Sequence, residues 1–250
     1  MKFIELVRLL YLNDYVFHNQ CVIPKIIYED KDLAVIDKPA GLPVHAANKN
    51  SDTETVVSFL ISRYPGIGKV GENAERPGIV HRLDKETSGI MVVAKNNETF
   101  YELKRQFQQR KVEKKYIALA CGIFQKESGF IDTPLQKFGP KTRLASRLSD
   151  TTKAKNAYTE YKVVKFYNGY TLLEIRPKTG RQHQIRVHLA SINHPIACDK
   201  LYGRKALKCP AGLNRHFLHA TYLRFRLKSA LMEFESELPP DLSEALKSLD

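Results

Sequence analysis

Apolar runs of strand length that arrive in pairs, an Asn-Gly turn between two of them, and only a few stretches of helical period predict an α+β fold. The expected architecture is a mixed, mainly antiparallel β-sheet with flanking helices. The first 25 residues place Leu6, Leu9 and Leu10 at helical spacing and otherwise signal weakly, so they read as a lead-in segment before one domain over residues 26–250. Residues 26–28 and 33–36 are β-branched and aromatic runs around the polar turn Glu29-Asp30-Lys31-Asp32, a hairpin pattern that Lys38-Pro39-Ala40-Gly41 stops. Ser51 and Glu54 stand in capping-box spacing ahead of Val57, Leu60, Ile61 and Tyr64, a helical stripe ending at Pro65-Gly66. After a loop over 68–77, the run 90–94 reads as a buried strand. Asn97, a favoured N-cap type, precedes Phe100, Leu103 and Phe107 at helical spacing, and alternation over 116–121 predicts a strand at once afterwards. Residues 158–166 and 170–175 pair through Asn168-Gly169, the strongest hairpin signal in the chain. Residues 181–192 carry a helical stripe of Ile185, Leu189 and Ile192 that Asn193-His194-Pro195 ends. Strands over 217–227 and 231–234 follow, and Pro239-Pro240-Asp241 opens a last helix with Asp241 and Glu244 in capping-box spacing.

A chain of 250 residues buries roughly 70% of its unfolded surface, enough for one sizeable core. Its 43% hydrophobic content is too high for disorder. No apolar run approaches the ~18 residues of a membrane helix. Met1 to Glu5 bring an early acid and no small-residue cleavage site, so a cytoplasmic address without a membrane partner is expected. Cys21, Cys121, Cys198 and Cys209 lack a Cys-x-x-Cys pair and are expected as reduced thiols. Forty Lys and Arg against 27 Asp and Glu give a net charge of +13, and its distribution is uneven. Residues 101–118 hold six basic and two acidic residues, 137–155 six and one, and 176–208 eight and one, leaving −3 on the rest. Segregation of this kind points to a polyanionic partner.

Two segments gather groups able to do chemistry. Thr87, Ser88 and Gly89 just ahead of the 90–94 strand place Asp84 on a loop anchored by the core, although an Asp there also serves to cap a turn. In the second, Gly180 leads into a helix bearing Arg181, Gln182, His183 and Arg186, a pattern suited to anion contact; for Arg186 a solvated helix face is the alternative. An arginine beside a catalytic carboxylate favours its charged form, and Arg181 is the candidate. Cys198, Cys209, His216 and His219 match no standard zinc spacing, so no metal is expected. Phosphate loops, dinucleotide fingerprints and Gly-x-Ser-x-Gly are missing, so neither a nucleotide-phosphate site of those kinds nor a hydrolase elbow is expected.

The segment HRLDKETSGIMVVAK over residues 81–95 closely resembles the signature of the RluA-type family of pseudouridine synthases. Four further segments follow that family's order: residues 36–45, Lys114-Lys115-Tyr116, residues 180–188, and His194-Pro195-Ile196 with Asp199 and Tyr202-Gly203. The resemblance implies a pseudouridine synthase-like fold with a central RNA-binding cleft, and isomerisation of uridine to pseudouridine in structured ribosomal or transfer RNA without a cofactor. By position it implies Asp84 as the catalytic carboxylate, Tyr116 as the aromatic that stacks on the base, Arg181 as the partner of the aspartate, and Arg82 as the residue filling the space of a flipped nucleotide. His81, Lys115, His183 and Arg186 are expected to contact RNA. One carboxylate serves such a reaction by attacking C1′ or by accepting a sugar proton, and both routes stay open. A glycoside hydrolase would need a second. Extruding the base costs a few kcal/mol, which basic residues gripping the backbone would offset. Many relatives carry an N-terminal S4 module that 25 residues cannot hold, so target choice is expected to rest on the catalytic domain. Cys198 stands where those relatives commonly have Gly, and Gln182 where Thr is frequent. A monomer is expected, since no surplus apolar stripe is evident. A non-catalytic RNA-binding protein is the alternative, and the joint presence of Asp84, Tyr116 and Arg181 counts against it.

Overall fold

A computed structural model describes residues 23–46, 53–139, 141–147, 151–203 and 209–250. Leu6, Leu9, Leu10, Cys21 and Ser51 lie outside these residues. Strands β1 (Lys25–Glu29) and β2 (Leu33–Lys38) form the expected hairpin, closed by Asp30 Oδ1 accepting from the Asp32 and Leu33 amides at 2.8 Å each. Helix α1 (Val56–Arg63) is capped by Thr55 and not by the Ser51 pattern: Thr55 Oγ1 accepts from Ser58 N at 3.0 Å and Ser58 Oγ from Thr55 N at 2.8 Å. A 3-10 turn over Pro65–Lys69 and a loop lead to β3 (Ser88–Ala94), all seven residues of which are buried. Helix α2 (Asn97–Gln108) takes Asn96 as its cap, one residue earlier than expected, with Asn96 Oδ1 accepting from Thr99 N. Strand β4 (Glu113–Cys121) follows.

Strands β5 (Ser128–Asp132), β6 (Leu135–Phe138) and β7 (Lys141–Leu144) fall where the sequence pattern predicts only loop. Each is four or five residues of mixed polarity, held by pairing to a neighbour and not by its own pattern. Strands β8 (Tyr158–Tyr167) and β9 (Tyr170–Pro177) turn at Gly169, whose φ of 78° suits glycine. Helix α3 spans only Gln184–Ser191, because His183 sits in the left-handed region at φ 55° and breaks the expected start at 181. Strands β10 (Leu218–Leu227) and β11 (Ala230–Glu235) precede α4 (Pro240–Lys247). No side chain caps α4; Asp241 pairs with Arg215 instead of closing a capping box.

The large sheet runs β1-β2-β3-β10-β4-β9-β8-β5, with β11 beside β10. Every pair in it is antiparallel except β3 with β10, which meet in parallel at Ser88 with His219 and Gly89 with Ala220. Gly89 holds φ 117°, and a Cβ there would fall onto the Ala220 backbone, so only glycine fits this crossing. Two cores flank the crossing. One gathers Ile36, Leu60, Met91, Leu103 and Phe225; the other gathers Leu119, Leu173, Leu189, Phe217 and Leu242. Tyr116 packs against both. Cys198 and Cys209, expected as reduced thiols, are bonded to each other with Cα atoms 5.2 Å apart; tertiary packing, not spacing, brings them together. Among the described residues no helix is long and apolar enough to cross a membrane.

Candidate active site

Asp84 sits on the loop that enters β3, and the residues after it are tied down one by one. The Lys85 carbonyl accepts from Gly41 N and from Lys38 Nζ, both at 3.0 Å. Lys38 is fully buried and also donates to the carbonyls of Pro39 and Leu42. The Glu86 carbonyl accepts from Arg215 Nη1 at 3.1 Å. Thr87 Oγ1 hydrogen-bonds His216 Nε2 at 2.8 Å, and Ser88 Oγ hydrogen-bonds His219 Nδ1 at 2.9 Å. Burial holds the His216 ring down to about 4, so it is neutral at pH 7. His216 and His219 thus brace the Asp84 loop from the start of β10.

The arginine paired with Asp84 is Arg186, not Arg181. Arg186 is the third residue of α3 and is buried. Its Nη1 donates to Asp84 Oδ2 at 3.0 Å, while Nε and Nη2 donate to the two carboxylate oxygens of Asp199 at 2.7 and 2.8 Å. Burial works against the guanidinium, but the hydrogen bonds and charge of Asp199, aided by Asp84, outweigh it and hold Arg186 above the usual arginine range. Asp199, whose side chain has 0% exposure, also accepts from the amides of Leu201 and Tyr202. Burial alone would raise its pKa, but Arg186 and these amides hold it below the usual carboxylate range. Arg181 lies before the helix starts, and its Nε donates to the Asn156 carbonyl at 3.0 Å. Arg186 was expected at RNA or in solvent; a buried face of α3 and two carboxylates take it instead.

A cavity of about 150 Å³ opens over this pair, lined by Asp84, Tyr116, Lys114, Arg181, His183 and Arg186 among others. Asp84 is the one acid lining it among the described residues. Burial, then the charge of Asp84, pushes the Tyr116 phenol well above its ordinary range, which keeps the hydroxyl protonated. His183 puts Nε2 3.8 Å from Asp84 Oδ1 and hydrogen-bonds Tyr202 Oη through Nδ1 at 2.8 Å; burial leads the lowering of its pKa. Beside this cavity lies a groove of about 460 Å³ carrying Arg76, Arg82, Arg110, Lys114, Lys178 and Arg181, and among the described residues no acid. The exposed Arg82 lines both, its Nη1 3.2 Å from His45 Nε2.

Two expected RNA contacts turn elsewhere. His81 accepts from Val92 N at 3.0 Å and stacks on Phe107, and burial takes its pKa down to about 3, so it anchors the loop to β3 as a neutral ring. Lys115 lays its ammonium over the Tyr222 ring at 4.3 Å and lines neither cavity. Alternation along β4 explains this, since Lys114 and Tyr116 share the cavity face and Lys115 takes the other. Lys114, lining the cavity, and Asp199, holding Arg186, are site residues to which the sequence pattern assigns no role. Cys198, beside Asp199, has φ 59°, a left-handed backbone that glycine adopts more readily than a residue with a Cβ.

Residues 32–191 match the family model described as RNA pseudouridylate synthase. An RNA pseudouridine synthase of Aquifex aeolicus is 45% identical over 223 residues, covering 86% of this chain and 69% of that protein. The ribosomal large subunit pseudouridine synthase D of Nitrosomonas europaea is 39% identical over 244 residues, covering 95% of this chain and 68% of that protein. Among solved structures, human RNA pseudouridylate synthase domain containing 1 superposes with a TM-score of 0.73 at 25% identity, covering 92% of this chain and 90% of that one. With its mainly antiparallel sheet, its single-acid cavity and these matches, the chain belongs to the RluA-type family of RNA pseudouridylate synthases and is an isomerase acting on uridine in RNA.

Proposed function

We propose that this enzyme converts uridine to pseudouridine in large-subunit ribosomal RNA, with Asp84 as the catalytic carboxylate. The observation that carries the reading is a lone carboxylate in a cavity, held by a buried arginine and facing a protonated tyrosine. The reaction breaks the C1′–N1 bond and joins C1′ to C5, with no net addition of water. One carboxylate is enough for it, whereas a glycosidase would need a second acid at the cavity. Tyr116 offers its ring to the base, and Arg82, exposed at the rim between cavity and groove, takes the place of the flipped nucleotide. Arg181 and His183 line the cavity as contacts to the nucleotide. Ribosomal RNA is favoured over transfer RNA by the names of similar proteins such as the Nitrosomonas europaea synthase.

The test is to incubate the protein with total RNA from a strain lacking its gene and map pseudouridine by carbodiimide-blocked primer extension. New stops in large-subunit RNA with wild type, and none with Asp84→Asn, are expected. Stops confined to transfer RNA would overturn the substrate, and stops with both proteins would overturn the role of Asp84.

A further inference from the structure

Lys114 is a cation without a partner at the place where the cavity over Asp84 joins the basic groove, and it lines both. Other sheltered cations of the fold are spent: Lys38 on three carbonyls, Arg186 on two carboxylates, Arg215 on Asp241. Among the described residues Lys114 Nζ makes no hydrogen bond and no ion pair. Among the described residues the one acid at either cavity, Asp84, is held by Arg186. Gly180 leaves the ammonium room, since even a Cβ there would stand 4.0 Å from it. A half-buried charge kept without a counter-ion costs stability, and such a cost persists where a ligand supplies the missing charge.

We infer that Lys114 binds a phosphodiester adjoining the target uridine, so that the RNA strand enters the groove directly from the flipped nucleotide. Two residues of strand separate Lys114 from Tyr116 on one face of β4, about 7 Å, which matches the reach from a base to a phosphate bordering its own nucleotide. Burial brings the Lys114 ammonium down to about 8, and an arriving phosphate reverses that shift by restoring a negative neighbour. The five other cations of the groove then continue the track along the backbone. This inference rests on the proposed placement of uridine over Asp84.

The experiment compares wild type, Lys114→Met and Lys114→Arg on a short RNA built around the mapped uridine. Two further RNAs carry one uncharged methylphosphonate, either 5′ or 3′ of that uridine. Dissociation constants are measured for all pairs, so that binding is read whether or not the RNA turns over. Lys114→Met should weaken binding roughly ten- to hundredfold and lower the salt slope by roughly 0.7. Its melting temperature should hold or rise, because an unpaired sheltered charge has been removed. Lys114→Arg should recover most of the affinity. One of the two methylphosphonates should weaken wild type by a similar factor and add nothing to Lys114→Met. Additive losses at both linkages, or a lowered melting temperature with unchanged affinity, would overturn the inference. Failure of wild type to isomerise the natural RNA would instead count against the substrate proposal.

Discussion

Asp199 controls the site without touching the substrate cavity. Its buried carboxylate takes two of the three hydrogen-bonded nitrogens of Arg186, leaving Nη1 free to hold Asp84. Asp199→Asn removes the charge that compensates a buried guanidinium and should destabilise the fold by about 3–5 kcal/mol in chemical denaturation at pH 7. The pH dependence has a definite sign. The folded pKa of Asp199 lies below its unfolded value, so its stabilisation is fully present above about pH 3.9 and is lost as pH falls through the folded value. The gap between wild type and Asp199→Asn should therefore narrow as pH is lowered below 4. That Asp84, Tyr116 and His183 would come together was legible through the family resemblance, and all three line one cavity. The choice between Arg181 and Arg186 was not, because a single left-handed residue, His183, decides which arginine lies on the helix and which on the turn before it.

At the scale of elements, the site depends on a parallel contact only two residues long. Ser88 and Gly89 of β3 meet His219 and Ala220 of β10, and the same stretch supplies the hydrogen bonds that fix the Asp84 loop. Gly89→Ala would drive a Cβ into the Ala220 backbone at a φ that only glycine tolerates, with a cost on the order of 3 kcal/mol or more. A lowered melting temperature with a greater loss of activity than of RNA affinity is the expected result. Strands with β-branched alternation or an Asn-Gly turn, such as β2, β3, β8 and β9, could be read from sequence because their own residues encode the period. β5, β6 and β7 could not, since long-range pairing supplies their stability, and the β3–β10 crossing joins segments about 130 residues apart.

Across the whole molecule, part of the positive charge gathers from separate sequence windows onto one surface. Arg110 and Lys114 from one window, with Lys178 and Arg181 from another, line one groove beside Asp84, joined by Arg76 and Arg82 from outside the windows. Among the described residues, Lys137 to Lys155 supplies no lining residue to it, so the described part of that window does not carry the track in this groove. Replacing Arg76 and Arg110 together by alanine should lower the slope of log binding constant against log salt by roughly 1.5, measured by fluorescence anisotropy. Lys115→Ala, on the opposite face of β4, should leave the slope unchanged.

The role of Asp84 is tested most directly by tritium release from RNA labelled at C5 of uracil, because the new C1′–C5 bond expels that hydrogen. Under single-turnover conditions wild type should release the label, and Asp84→Asn should be slower by about a thousandfold or more with its RNA affinity and melting temperature kept. Release by Asp84→Asn at the wild-type rate would contradict the assignment.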